Sequence, residues 1–164
     1  MILDVEKIFT GEEKDRSFQY SLDLSSTAVG GSFPFISPVK IAGTVTGREG
    51  FADIMFRAAF DFSIPCDRCA AQIDRSILYS FSHTLVPSLE NADDDRLIEV
   101  RDSKLDLDAL AREDILLELP TKFLCRPDCR GICPKCGKNL NEGPCGCSEE
   151  QGDERFKVLK NLIH

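Results

Sequence analysis

The chain has 164 residues, 42% hydrophobic and 29% charged, enough for one domain or one domain with a small lobe and for a core that needs no metal to rescue it. Lys and Arg total 20 against 28 Asp and Glu, a formal net charge of −8. That balance argues against tight, nonspecific binding to nucleic acid, DNA included, and favours a basic partner such as a ribosomal protein.

The N-terminal MILDVEKIFT carries Asp4 and Glu6 and lacks a basic segment leading into a long apolar stretch, so no secretory signal is read. No apolar run approaches the ~20 residues that cross a bilayer. The expectation is a cytoplasmic protein in a reducing compartment, with no membrane association. Its eight cysteines are then metal ligands rather than disulfides.

The first ~90 residues read as strands from their alternation. Phe18, Tyr20, Leu22 and Leu24 form one run; Val39, Ile41 and Val45 begin another, broken by Gly43. The clearest run places Ile54, Phe56, Ala58, Phe60, Phe62 and Ile64 on one face, with Asp53, Arg57, Asp61 and Ser63 opposite, joined there by Met55 and Ala59. Ile77, Tyr79, Phe81 and Leu85 make a fourth, while Gly30-Gly31, Gly47 and Gly50 read as turns between runs. Alternation rather than continuous apolarity predicts an antiparallel sheet with one wet face.

Residues 90–95 form an acidic, solvated loop without the spacing of a calcium site. Residues 106–119 change to helical spacing through Leu107, Leu110, Ala111 and Ile115, with Asp106 as cap, Asp108 in the first turn and Pro120 as terminator. Residues 121–147 are a loop region rich in Cys, Pro and Gly, and residues 153–163 read as a short helix with Phe156, Leu159 and Ile163 on one face. Two parts result: residues 1–104, an antiparallel β domain carrying one CxxC pair, and residues 105–164, the helix, a zinc-knuckle lobe and the terminal helix.

The cysteines carry the chemistry. Cys133 and Cys136 in CPKCG can reach one metal through a tight turn, the proline fixing the backbone and Gly137 permitting positive φ. Cys145 and Cys147 return nine and eleven positions after Cys136, with Gly143, Pro144 and Gly146 between and around them. These four make one site. Cys66 and Cys69 in CDRC, with Cys125 and Cys129 in CRPDC, make a second tetrahedral set, which would clamp the helix-to-loop junction onto the strand region. An exchange of pairs between the two sites is the rival arrangement. Two zinc ions are expected, bringing the total charge to about −12, since a four-thiolate zinc carries −2.

A redox C-x-x-C would open a helix after a strand, whereas AAQIDRSILYSF after Cys69 reads as another strand. A catalytic zinc needs an open position, and two saturated sites leave none. Of the two histidines, His83 falls in the register of Ile77, Tyr79 and Phe81, and His164 is terminal. No phosphate loop, nucleophile elbow or nucleophile–base pair occurs. Neither an enzyme nor a small-molecule substrate is expected. Lys122, Arg126, Arg130, Lys135 and Lys138 surround the cysteines with Asp128 as the one acid, a stretch able to meet RNA phosphates or to offset the anionic metal centres. With Phe123 as its one aromatic, base stacking has little support.

The ordered series FQYSLDLS, PVKIAGTV, PCDRC, DLDALAREDILLELP, CRPDCRGICPKCGKNLNEGPCGC and DERFKVLKNL resembles the bacterial YceD family of large ribosomal RNA subunit accumulation proteins, in particular members with a cysteine-rich tail. The resemblance covers most of the chain. It implies a non-enzymatic role in large-subunit ribosomal RNA accumulation and ribosome biogenesis, with a ribosomal protein or precursor RNA as partner. Cys66 and Cys69 match the family's CxRC. The resemblance also favours grouping them with Cys125 and Cys129, the tail site being an elaboration. The expected whole is an α+β fold, mostly antiparallel sheet with a packed helix and a zinc-stapled C-terminal lobe, acting as a scaffold. An acidic adaptor without a ribosomal role, or a redox-sensitive zinc switch, are the alternatives.

Overall fold

The computed structural model describes residues 1–48, 50–88 and 97–147; the acidic stretch at 90–95 and the helix read at 153–163 lie outside the described residues. The main sheet has five strands in the order β2 (Asp15–Leu22), β3 (Val39–Arg48), β4 (Phe51–Pro65), β5 (Gln72–Val86) and β6 (Leu97–Glu99). The first four meander antiparallel, and β6 joins β5 parallel through Thr84, Leu85 and Val86. A second, two-stranded sheet pairs β1 (Ile2–Asp4) with β7 (Lys104–Asp106). Among the described residues two α-helices accompany the sheets of this α+β fold, the single turn α1 (Glu6–Phe9) and the three-turn α2 (Leu107–Glu118).

Side-chain chemistry sets the register. In β4, Ala52, Ile54, Phe56, Ala58, Phe60, Phe62 and Ile64 are buried, while Met55, Arg57 and Asp61 face water. A slip of one residue against β5 would turn that whole apolar row outward, so the pairing from Ala52↔Leu85 to Pro65↔Gln72 is strongly specified. The facing row of β5 is only half-buried at Ile77, Tyr79 and Phe81, and it meets β4 through ring contacts such as Phe56–Phe81 at 5.2 Å.

Two glycines depart from the sequence expectation. Gly43 does not break β3, and Gly47 is not a turn; both lie inside the strand. A Cβ at Gly43 would sit 2.5 Å from Phe56 Cβ and 2.8 Å from the Phe18 ring, and would strike the Met55 carbonyl. At Gly47 it would come within 3.0 Å of Ile8, so the missing side chain lets α1 lie against the sheet. Gly50, with φ +80°, is the residue that turns β3 into β4.

The helix α2 starts where the sequence places it. The Asp106 carboxylate accepts from the Asp108 and Ala109 amides at 3.0 and 3.2 Å, satisfying two of the orphan donors of the first turn. Leu107, Ala111 and Ile115 are buried beneath it, and Leu119 turns to extended backbone ahead of Pro120. One continuous buried cluster runs from Leu3 through the sheet and α2 to Cys66, Cys69 and Cys129. The cysteine-bearing loops therefore close one end of the core.

Candidate metal centres

The β4–β5 hairpin ends in a knuckle, Cys66–Ala71. The Cys66 amide donates to the Ala71 carbonyl at 2.8 Å and the Ala70 amide to the Cys66 carbonyl at 2.9 Å. Ala70 occupies left-handed backbone at φ +57°, a region alanine seldom enters. Beyond Pro120 the chain returns across the knuckle. The Asp67 amide donates to the Phe123 carbonyl at 2.9 Å, and the Phe123 amide to the Asp67 carboxylate at 2.7 Å. The Phe123 ring stacks on Phe62 at 5.4 Å, anchoring this strap to the core.

The strap delivers Cys125 and Cys129 to the knuckle. Cys66 Sγ lies 3.8 Å from Cys129 Sγ, and Cys69 Sγ lies 3.6 Å from Cys125 Sγ. All four sulfurs are within 4.8 Å of one another. A zinc tetrahedron with metal–sulfur bonds of about 2.3 Å has edges of about 3.8 Å, so the donor set fits such an ion by chemistry and by size.

Donors around the sulfurs favour thiolate. The Cys125 amide points at Cys66 Sγ at 3.4 Å, and the Asn141 side-chain amide donates to Cys129 Sγ at 3.3 Å. Burial pushes the Cys66 thiol up, but the Arg68, Cys125 and Cys69 amides outweigh it and bring it down to about 6. Burial likewise opposes ionisation of Cys129, and the Asn141 amide and Gly131 backbone lower it overall. Cys125 goes the other way, pushed up to about 12 by burial of its sulfur and the crowding of the other three. Four sulfurs this close oppose one another's ionisation, and a bound cation would hold all four as thiolates and expel their protons.

The tail repeats the device. The Cys133 amide donates to the Lys138 carbonyl at 2.8 Å, the Gly137 amide donates to the Cys133 carbonyl at 2.9 Å, and Gly137 takes φ +70°. Lys138 Nζ donates to the Pro144 carbonyl at 3.0 Å and ties the return loop down. Cys133, Cys136, Cys145 and Cys147 then place their sulfurs within 4.8 Å of one another. The Cys136 and Lys135 amides lower the Cys133 thiol to about 6, while Cys136 and burial push Cys147 up to about 12. The chain thus holds two cysteine tetrads, each able to hold a metal ion, and among the described residues no other group of three or more such ligands occurs.

The loops of the two tetrads meet through contacts that spacing alone did not single out. Gly131, at φ +77°, would bring a Cβ within 3.0 Å of the Arg68 carbonyl, to which Ile132 donates at 3.1 Å. Asn141 sits in the single-turn helix Leu140–Glu142, inside the loop between Cys136 and Cys145. Its side-chain nitrogen donates to Cys129 Sγ, and its Oδ1 accepts from the Arg130 amide at 2.8 Å and from the Arg126 guanidinium at 2.6 Å. The NLNEGP run signals a turn, but nothing in it tells that one amide crosses to the other tetrad.

His83 belongs to neither tetrad. Its Nε2 pairs with Asp114 of α2 at 2.7 Å, locking helix to sheet, and burial raises the Asp114 carboxyl despite that bond. Beside the first tetrad lies a groove of about 450 Å³, floored by Ile73, Tyr79, Phe123 and Leu124. Its charged lining residues are Arg75, Lys122 and Arg126, and no acid lines it. Arg75 came from a strand, outside the basic run read in the sequence. Among the described residues no helix is long and apolar enough to cross a membrane.

The family model described as large ribosomal RNA subunit accumulation protein YceD matches residues 54–163. The uncharacterized protein Rv2926c of Mycobacterium tuberculosis is 31% identical over 102 residues, 60% of this chain and 49% of its own. This chain therefore spans about half the length of that relative. The uncharacterized protein YlbN of Bacillus subtilis is 26% identical over 135 residues, 78% of this chain and 76% of its own. The chloroplastic YCED homolog 1 of Arabidopsis thaliana, a large ribosomal RNA subunit accumulation protein by name, is 36% identical over 59 residues, 36% of this chain and 18% of its own. No solved structure matches. The matched segment takes in β4 from Ile54 onward, β5, α2 and all eight cysteines, and the chain belongs to the YceD family.

Proposed function

We propose that this protein is a non-enzymatic, cytoplasmic factor in the accumulation of large-subunit ribosomal RNA, acting as a zinc-stabilised scaffold in ribosome biogenesis. The observation that carries the reading is the family match over residues 54–163, the segment that builds both tetrads. Soft thiolates in sets of four suit zinc over harder cations. Cys66, Cys69, Cys125 and Cys129 would hold one ion, and Cys133, Cys136, Cys145 and Cys147 the other. When bound, each ion supplies cross-linking. Four sulfurs complete a tetrahedral shell, so the role is structural and needs no base or nucleophile.

The partner is precursor large-subunit RNA or a ribosomal protein, and the acid-free groove is the surface proposed for it. On a chain of net charge −8, Arg75, Lys122 and Arg126 gather there without a lining carboxylate, which suits a phosphate backbone. The test is the ratio of large- to small-subunit ribosomal RNA in cells depleted of the protein. A selective fall in the large-subunit RNA is expected, restored by the wild-type chain. An unchanged ratio would overturn the assembly role and leave an acidic adaptor as the reading.

A further inference from the structure

Asn141 is the one side chain that belongs to the loop of one tetrad and bonds a sulfur of the other among the described hydrogen bonds. It lies in the return loop of the tail tetrad, five positions after Cys136 and four before Cys145. Its side-chain nitrogen donates to Cys129 Sγ at 3.3 Å. The same nitrogen also meets Asn139 Oδ1 at 2.8 Å, and Asn139 Oδ1 accepts the Asn141 backbone amide at 3.0 Å. On its other side Asn141 Oδ1 accepts from Arg130 and Arg126, which flank Cys129 and Cys125 in sequence. The amide is therefore aimed from both ends, its orientation fixed by groups on both loops.

The loop that carries Asn141 is shaped by the tail knuckle. The Cys133 amide bonds Lys138, Ile132 bridges Asn139, and the Leu140 amide donates to Gly131 at 2.8 Å. Lys138 ties the loop's far side to Pro144, next to Cys145. Closing the tail tetrad around an ion pins residues 136 and 145, the two ends of the segment on which Asn141 stands.

We infer that Asn141 couples the two metal centres: an ion in the tail tetrad orders the 139–142 turn, and the ordered Asn141 amide stabilises the Cys129 thiolate and so tightens metal held by Cys66, Cys69, Cys125 and Cys129. Asn141 is a positioning residue and not a ligand. The inference rests on the metal-binding reading above. Hydrogen bonds to ligating atoms typically contribute 10–100-fold to metal affinity. By reciprocity, filling the first tetrad tightens the tail by the same factor, because the Cys129–Asn141 contact is shared.

The test is a double-mutant cycle on the full chain, with zinc competition against a chromogenic chelator for wild type, Asn141→Ala, Cys136→Ser and the double variant. Cobalt(II) replaces zinc in parallel; in the Cys136→Ser background, where the first tetrad alone keeps four cysteines, the sulfur-to-metal charge-transfer bands report that tetrad. Asn141→Ala is expected to weaken the first site roughly 10–100-fold and to shift its cobalt bands. Cys136→Ser, which alters no residue of that site, is expected to weaken it comparably. Adding Asn141→Ala to Cys136→Ser should change it no further. Full additivity, or an Asn141→Ala chain that holds its first-site ion as tightly as wild type, overturns the coupling while leaving two metal sites. A wild-type chain that takes up no zinc overturns the metal reading and the coupling together. Asn141→Asp provides a second variant of nearly the same shape, in which an acceptor oxygen faces the sulfur. It should loosen the first site at least as much as alanine, and retention of wild-type affinity there also overturns the inference.

Discussion

Ala70 and Gly137 occupy the same place in the two knuckles, one position after the second cysteine of each CxxC. Both donate their amide to the carbonyl of the first cysteine at 2.9 Å, and both lie at positive φ, +57° and +70°. The tail uses glycine there, and its Gly was legible from CPKCG because glycine accepts that backbone without cost. The hairpin knuckle uses alanine, so its turn could not be read from residue type. A Cβ in left-handed backbone costs about 1–2 kcal/mol, part of which is returned by the lower chain entropy of alanine when unfolded. Ala70→Gly is therefore expected to stabilise the protein by about 0.5–1 kcal/mol in urea unfolding, with zinc content unchanged. Gly137→Ala should do the reverse, by about 1 kcal/mol, and loosen the tail ion. His83 makes a third residue-scale case. Its pairing with Asp114 spans β5 and α2, and Asp114→Ala would leave a half-buried imidazole without that partner, for an expected loss of about 1–2 kcal/mol by thermal unfolding.

At the scale of elements, β4 and α2 were legible because each carries its own signal. The alternation at 54–64 and the Asp106 cap with its helical stripe are local properties, and the structure bears them out. The elements that were not legible depend on distant partners. The three-residue β1 and β7 pair across about a hundred positions, β6 joins β5 in parallel over three residues, and α1 is a single turn set against Gly47. Short segments like these have too few residues to show a period. Gly43 and Gly47 misled for a related reason: a glycine that admits a neighbour from another element looks, in sequence, like one that turns the chain. The tail tetrad was legible from spacing; the grouping of Cys66, Cys69, Cys125 and Cys129 was one of two arrangements the residues left open, favoured by the resemblance, and the Asn141 link was not legible because it depends on how two loops meet. Element-scale substitutions separate the tetrads. Cys136→Ser should cost one zinc and loosen residues 130–147 while amide exchange in β3–β5 stays slow. Cys66→Ser should lower the melting temperature of the whole protein, since its tetrad joins the hairpin tip to the chain beyond α2.

For the whole molecule, charge is the organising fact. A chain of net −8 carries, beside the first tetrad, a groove whose charged lining residues are Arg75, Lys122 and Arg126. Arg75→Glu with Lys122→Glu reverses that lining without touching any cysteine or Asn141. Zinc content and melting temperature are expected to hold, while rescue of large-subunit RNA levels in depleted cells falls severalfold. Unimpaired rescue would move the contact surface elsewhere on the protein.

The first tetrad also carries a timing. Cys66 and Cys69 stand at the tip of a hairpin whose strands are neighbours in sequence, so this half of the site assembles early and locally. Its other half lies 56 to 63 residues further along the chain. During synthesis the folded hairpin would emerge with two sulfurs displayed, and nothing could complete their shell until α2 and the strap had followed. Metal capture at this tetrad would then wait on translation through Cys129, and under the proposed function the stapled surface could not be presented before that point.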